Sequence, residues 1–433
     1  MRILFITPFI PYPLNSGGNQ AVFNMVDEAR KLHKVTMLLC VQSHSSRMAV
    51  EELQKVWPNV KFLCYSMENG IDDSRYLSKM TLKNRLLYRL YDFIGRSMKR
   101  KMARRRRKVM NLQPDFIREH SMLLSEDNVI DEGFLEYIYN QSRKGYDLIQ
   151  VEFYQMLPVI YALPSDAETV FVHHELRFVR NENEMSLFTT HQYQDEMTYL
   201  KLKDEEIACL ARYSHIITLT QTDKEILSRY LPDKDIYVSP AITDTIKHLD
   251  ELKAFTPSKD LVFIGSGDHF PNADGIKWFC TDVMMSLRSR GVMPKLYISG
   301  VWNNTIKTSI TSVSPEVIFT GFVDDLSAFL NGKISIVPIR IGSGMRMKII
   351  DSISASSPLI TTSKGCEGLP CINNENCLIA DTADRFADAI IKMSEDEELQ
   401  KRCAENAIST LRSTFDAGRL LQTRMQFYKK LQH

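Results

Sequence analysis

The sequence predicts an α/β protein made of two doubly wound, parallel-sheet domains facing each other across a cleft. Three observations carry this. The 433 residues are more than one ordinary core organises. Short apolar runs bounded by turn residues alternate with longer stretches of helical period, the pattern of βαβ units. That series starts twice, at RILFITP near the amino terminus and again at LVFIGSG, residues 261–267.

In the first series RILFITP, KVTMLLC, VKFLCYS, DLIQVEF, TVFVHH and IITLT are the strands, and NQAVFNMVDEARKLHK is the helix after the first of them. They define an amino-terminal domain over residues 1–240, interrupted by a long, charged, largely helical insertion at about 66–145. The stretch 239–260 lacks a clear apolar period and marks the connection. LVFIGSG, KLYISG, VIFTGF, ISIVPI and PLITT are the strands of a carboxyl-terminal domain, residues 241–410. Residues 411–433 form a last helix, expected to pack back towards the first domain.

Composition excludes several classes. With 44% hydrophobic and 25% charged residues the chain is globular, neither disordered nor fibrous. A net charge of +1, from 54 basic and 53 acidic residues, leaves no general positive field for nucleic acid. The eight cysteines show no CxxC pair or metal-ligand spacing and read as free thiols in a reducing cytosol. Pro8, Pro11 and Pro13 break the apolar opening, which reads as a first strand and not as an export signal. There is no run of about 18 apolar residues that would span a bilayer.

The chemistry concentrates in RIGSGMRMKIID, residues 340–351, between a strand and a helix. Ligands of open α/β sheets sit beyond the carboxyl ends of strands, where helix amino termini offer free N–H groups to anions. Gly342 and Gly344 permit close backbone approach, while Arg346 and Lys348 are placed in the expected first turn to neutralise phosphate oxygens. Asp351 is placed to accept from ribose hydroxyls. It is not a Walker loop, since no Lys-Ser/Thr pair follows the glycines.

The second half resembles the nucleotide-sugar domain of glycosyltransferase family 4, the retaining group with the GT-B fold of two Rossmann-like domains. The resemblance rests on FIGSGDHFPNADGIKWF, VIFTGFVDDLSAFL, VPIRIGSGMRMKIIDSISASSPLITTSKGCEGL and LIADTADRFADAI, about 130 residues in order. The first half is similar more loosely, through strand one, PYPLNSGGNQ and TLTQTDKEIL. The resemblance implies that Gly342, Ser343, Gly344, Met345, Arg346 and Lys348 hold the donor diphosphate. It also implies that Asp351 stands for the ribose-binding glutamate, and that Gly265, Glu367 and Gly368 lie near the donor. Ser343 and Asp351 occupy the positions where many members carry two glutamates. The family's Arg/Lys pair near the start of the second domain has no match in GSGDHFPN, which offers His269, with Lys277 further along. Gly17 and Gly18 would lie against the donor from across the cleft.

On the acceptor side, Glu152 and His174 end two strands of the first domain, where ionisable groups suit acceptor contact or proton transfer. Adjacent His173 and His174 point to different sides, unlike an HExxH pair, so no metal is expected. In the insertion, Arg96 to Lys108 is strongly basic and follows the apolar LLYRLYDFIG. That pairing reads as a surface helix on an anionic membrane, placing the protein on the inner face of the cytoplasmic membrane. The expected activity is retaining sugar transfer from a nucleotide-diphosphate sugar to a glycan or lipid-linked acceptor, without cofactor. The rivals are a nucleotide-sugar epimerase and a non-catalytic glycan- or partner-binding protein.

Overall fold

The computed structural model describes residues 1–66, 116–124, 130–247 and 254–431. The basic stretch Arg96 to Lys108, and with it most of the insertion, lies outside the described residues.

The first sheet contains β1 (Arg2–Ile6), β2 (Lys34–Val41), β3 (Lys61–Ser66), β4 (Leu148–Glu152), β5 (Thr169–His173), β6 (His215–Thr218) and β7 (Asp235–Val238). Its order is β3-β2-β1-β4-β5-β6-β7, every pairing parallel. The second contains β8 (Leu261–Ile264), β9 (Leu296–Ser299), β10 (Val317–Gly321), β11 (Ile334–Val337), β12 (Leu359–Thr361) and β13 (Leu378–Ile379), in the order β10-β9-β8-β11-β12-β13, again parallel. This is the architecture the sequence predicts, with β7 and β13 added at the sheet edges.

Both sheets are buried on two faces, which is why their strands read as continuous apolar runs. Along β1 the residues divide by parity: Ile3 and Phe5 join the core under the helix Gly17–Leu32, and Leu4 and Ile6 the core on the opposite face. The last helix, Ala417–Lys430, lies against the first domain, where Met425, Phe427 and Tyr428 enter that first core and Tyr237 stacks on Phe427 at 4.6 Å. The second domain has its own core, from Ile242 to Phe415.

In each sheet the strand order reverses at one place, between β1 and β4 and between β8 and β11. Such switch points open a crevice at the carboxyl ends of the strands. The loop after β11 meets the loop after β5 and the helix that follows β1.

Candidate functional site in the interdomain cleft

The loop after β11 bears most of the site. Its helix runs Met347–Ser354, with Arg346 extended at the amino-terminal cap, φ −90° and ψ 91°. The helix therefore starts later than its apolar period predicts, and Arg346 stands ahead of the first turn. Its guanidinium folds back on the loop, Nη1 donating to the carbonyls of Ser343 and of Gly344, the latter at 3.0 Å. Arg346 Nη2 is buried without a hydrogen-bond partner. Burial lowers the Arg346 pKa, while Glu175, Glu367 and Asp223 oppose that shift.

Lys348 reaches the other way, to the loop after β8. Its Nζ donates to Asn272 Oδ1 at 2.5 Å and lies 4.2 Å from the Phe263 ring centroid. Burial, reinforced by Arg346, pushes its pKa down to about 7, against the pull of Asp351. Asn272 is braced by a bond to the Ser266 carbonyl at 2.8 Å, and the Gly265 carbonyl accepts from Trp302 Nε1 at 2.9 Å. His269 caps the helix Phe270–Trp278; crowding by the surrounding protein, with Arg180, Lys348 and Arg346, lowers its pKa although Glu175 favours the charged form. Lys277 is turned away, its Nζ 3.8 Å from the ring centroid of Phe116.

Asp351 accepts from Thr245 Oγ1 at 2.8 Å, and burial raises its carboxyl pKa to about 6. Met345 is half-buried where the two cores meet. Glu367 pairs with Lys364 at 2.8 Å, and Gly368 lies against Thr220 of the first domain.

The first domain closes directly on these loops. Gly342 donates its N–H to Asn183 Oδ1 at 3.1 Å, and the Leu176 N–H donates to Ser343 Oγ at 2.6 Å. Gly344 has φ +74°, and a Cβ there would overlap the His174 carbonyl oxygen. Only glycine fits, because the neighbour is backbone and has nowhere to move. A Cβ on Gly17 would likewise come within 2.6 Å of Met347 Cγ, so the two glycine loops do meet across the cleft. Gly18 packs beside the rings of Phe153 and Phe9.

The two histidines part company as their sequence predicts. His173 bonds Glu206 Oε1 at 2.7 Å, and the same carboxylate accepts from the N–H groups of Arg177 and Phe178 at 3.0 and 2.9 Å. His174 bonds Glu152 Oε2 at 2.7 Å and stacks on Phe153 with centroids 3.7 Å apart. Phe153 has φ +66°, a left-handed conformation that a phenylalanine adopts only under constraint. Glu175 completes the cleft: burial raises its carboxyl pKa, but Arg180, His269 and Arg346 together bring it below the usual range. Its oxygen pairs with Arg180 Nη1 at 3.2 Å.

Sequence reading named Arg346, Lys348, Glu152, His174 and the glycines, of which Gly344 meets His174, Gly17 meets Met347 and Glu152 bonds His174. It missed Asn183, Asn272 and Asp223. Asn272 follows a helix-starting proline, a visible signal, whereas Asn183 and Asp223 look like ordinary helix-surface polar residues.

The fold and site define a GT-B architecture with a cationic loop in the cleft. Residues 258–396, most of the second domain, match the family model described as glycosyl transferases group 1. A curated relative, an "Uncharacterized 44.6 kDa protein in cps region" of Klebsiella pneumoniae, is 24% identical over 249 residues, covering 56% of this chain and 62% of the relative. Among solved structures, S. aureus TarM in complex with fondaparinux, α-GlcNAc-glycerol and UDP aligns with TM-score 0.64 and 12% identity over 100% of both chains. Sucrose-phosphate synthase from Thermosynechococcus elongatus gives 0.65 and 15% over 100% of this chain and 99% of that one. Anabaena HepE with UDP-glucose gives 0.59 and 12% over 99% of this chain and 100% of that one. At these identities the structural likenesses establish the fold.

Proposed function

We propose that this protein is a retaining glycosyltransferase that moves a hexose-type sugar from a nucleotide-diphosphate donor to a glycan or lipid-linked acceptor in cell-surface polysaccharide synthesis. The observation that carries the reading is the pair of cations on the loop after β11. Arg346 keeps a buried, unpartnered Nη2, and burial together with the Arg346 charge pushes the Lys348 pKa down to about 7 despite Asp351. A diphosphate between them supplies the missing negative charge. The group 1 glycosyl transferase match over this domain supports the donor, as do the UDP and UDP-glucose complexes of the structural neighbours. The cps-region relative supports the pathway.

In this reading Arg346 and Lys348 stabilise charge growing on the leaving diphosphate, electrostatic catalysis by groups fixed in advance. Asp351 receives the ribose, and Glu367 and Gly368 border the donor from the next loop. The acceptor hydroxyl enters beside His174 and attacks from the face the diphosphate leaves, whose oxygen helps take its proton; configuration is kept. No metal is assigned, the two side-chain cations filling that role. Arg96 to Lys108 holds the protein to the anionic inner leaflet. No helix among the described residues is long and apolar enough to cross a membrane.

A thermal-shift panel of UDP, GDP, ADP and dTDP sugars tests the donor site, with Arg346→Ala as control. A shift with one nucleotide, abolished in the variant, is expected; no shift with any sinks the reading. Incubation with donor alone separates transferase from epimerase: slow hydrolysis is expected, epimer overturns it. Flotation with anionic vesicles should fail once residues 96–108 are deleted, and equal flotation removes the membrane assignment.

A further inference from the structure

His174 is the open end of a buried hydrogen-bonded chain that begins in the last helix. Tyr428 donates its hydroxyl to Gln150 Oε1 at 2.6 Å. Gln150 Nε2 donates to Glu152 Oε1 at 2.5 Å, and Glu152 Oε2 meets His174 Nε2 at 2.7 Å. Gln150 and Tyr428 are fully buried and Glu152 is 3% exposed. Gln150 and Glu152 sit two apart on β4, so their side chains share one face of the sheet and can hand a bond along it.

The chain has only one consistent proton arrangement with Glu152 as a carboxylate. A carboxylate accepts and cannot donate, so Gln150 must present its amide nitrogen to Glu152 and its oxygen to Tyr428. Tyr428 then has to donate. The other carboxylate oxygen requires a proton on His174 Nε2. In a neutral imidazole this leaves Nδ1 as the lone-pair nitrogen, and Nδ1 takes no part in the chain. Phe153, stacked on the ring at 3.7 Å and 9° between planes, fixes its tilt.

We propose that Tyr428 and Gln150 are positioning residues which, through Glu152, hold His174 as its Nε2–H tautomer so that Nδ1 is ready to accept a hydrogen bond from a sugar hydroxyl in the cleft. The role in turnover rests on the glycosyltransferase reading; the tautomer does not. The carboxyl-terminal helix thus reaches the cleft by way of β4.

The test uses the full chain labelled with ¹⁵N-histidine, His174→Gln identifying the resonance among ten histidines. Long-range proton–nitrogen spectra at neutral pH should show Nε2 protonated and Nδ1 unprotonated. In Tyr428→Phe both ring nitrogens should move towards the averaged position, with kcat reduced about tenfold, a fraction of the roughly 100- to 10,000-fold that a positioned acid–base group contributes, and donor KM unchanged. An Nδ1–H tautomer in the wild type overturns the proposal. So do unchanged ring shifts in Tyr428→Phe, even with a lowered melting temperature, because the tyrosine is then only structural. Should that variant fail to fold, Gln150→Leu breaks the same chain at its centre and is read by the same criteria. If no nucleotide sugar is turned over, the transferase reading falls and the ring shifts alone decide the tautomer.

Discussion

At the first domain's edge of the cleft, most charges are paired within the protein. Glu152 holds His174 and Gln150, Glu206 holds His173 and two backbone N–H groups, and Arg180 holds both Glu175 and Glu184. At the second domain's edge the cations have poorer company. Lys348 has one neutral amide, and Arg346 has two carbonyls and an empty Nη2. A buried charge without a full partner is costly, so it persists where another molecule completes it. The contrast separates a preorganised frame from a binding edge.

The strongest way to break this comparison is to keep the edges from meeting. Gly344→Val puts side-chain carbon on the His174 carbonyl oxygen at φ +74°. Because misplacement by about 1 Å can cost on the order of 100-fold in rate, transfer should fall at least that far, with a larger solution radius by small-angle scattering. Wild-type activity and radius would show that closure does not depend on this contact.

Two substitutions sharpen the distinction between frame and binding edge. Arg346→Ala should remove about 1.5–3 kcal/mol of charge-assisted binding, roughly 10- to 150-fold in donor affinity by calorimetry, with little change in melting temperature. Glu206→Ala should do the reverse, lowering stability by about 3 kcal/mol through three lost hydrogen bonds while donor affinity holds. If both variants lose affinity alike, the division of labour is wrong.

The smallest expected effect is on pH. The Lys348 pKa is lowered to about 7 by burial and Arg346, and a bound diphosphate raises it again. Binding therefore takes up a proton once pH exceeds about 7, and donor affinity should fall between pH 6.5 and 8.5, by at most about tenfold per unit. Lys348→Arg, charged throughout, should flatten that slope if it still binds.

Much of this was legible before any coordinates. The strands of both domains stand out because parallel strands buried on both faces are long apolar runs; Ile3 to Ile6 is the plainest case. β7 was invisible because only Ile236 of its four residues is buried, and β13 because two residues carry no pattern. Arg346 and Lys348 were readable from glycines, basic residues and a helix start in one stretch. Their division of labour was not, since Arg346 turns back on its own loop and Lys348 reaches Asn272, 76 residues earlier.

By itself, then, the sequence determined the alternation of strands and helices, the duplication of the domain and the position of the cationic glycine loop, all of which follow from local periodicity and backbone freedom. Only the tertiary structure decided which groups face one another. Ser343 meets Leu176, Gly344 meets His174, and Tyr428 reaches Glu152 through Gln150, pairs 167, 170 and 276 positions apart. No periodicity encodes such contacts. They are set by where two sheets reverse their strand order and by how far two rigid domains close before backbone touches backbone.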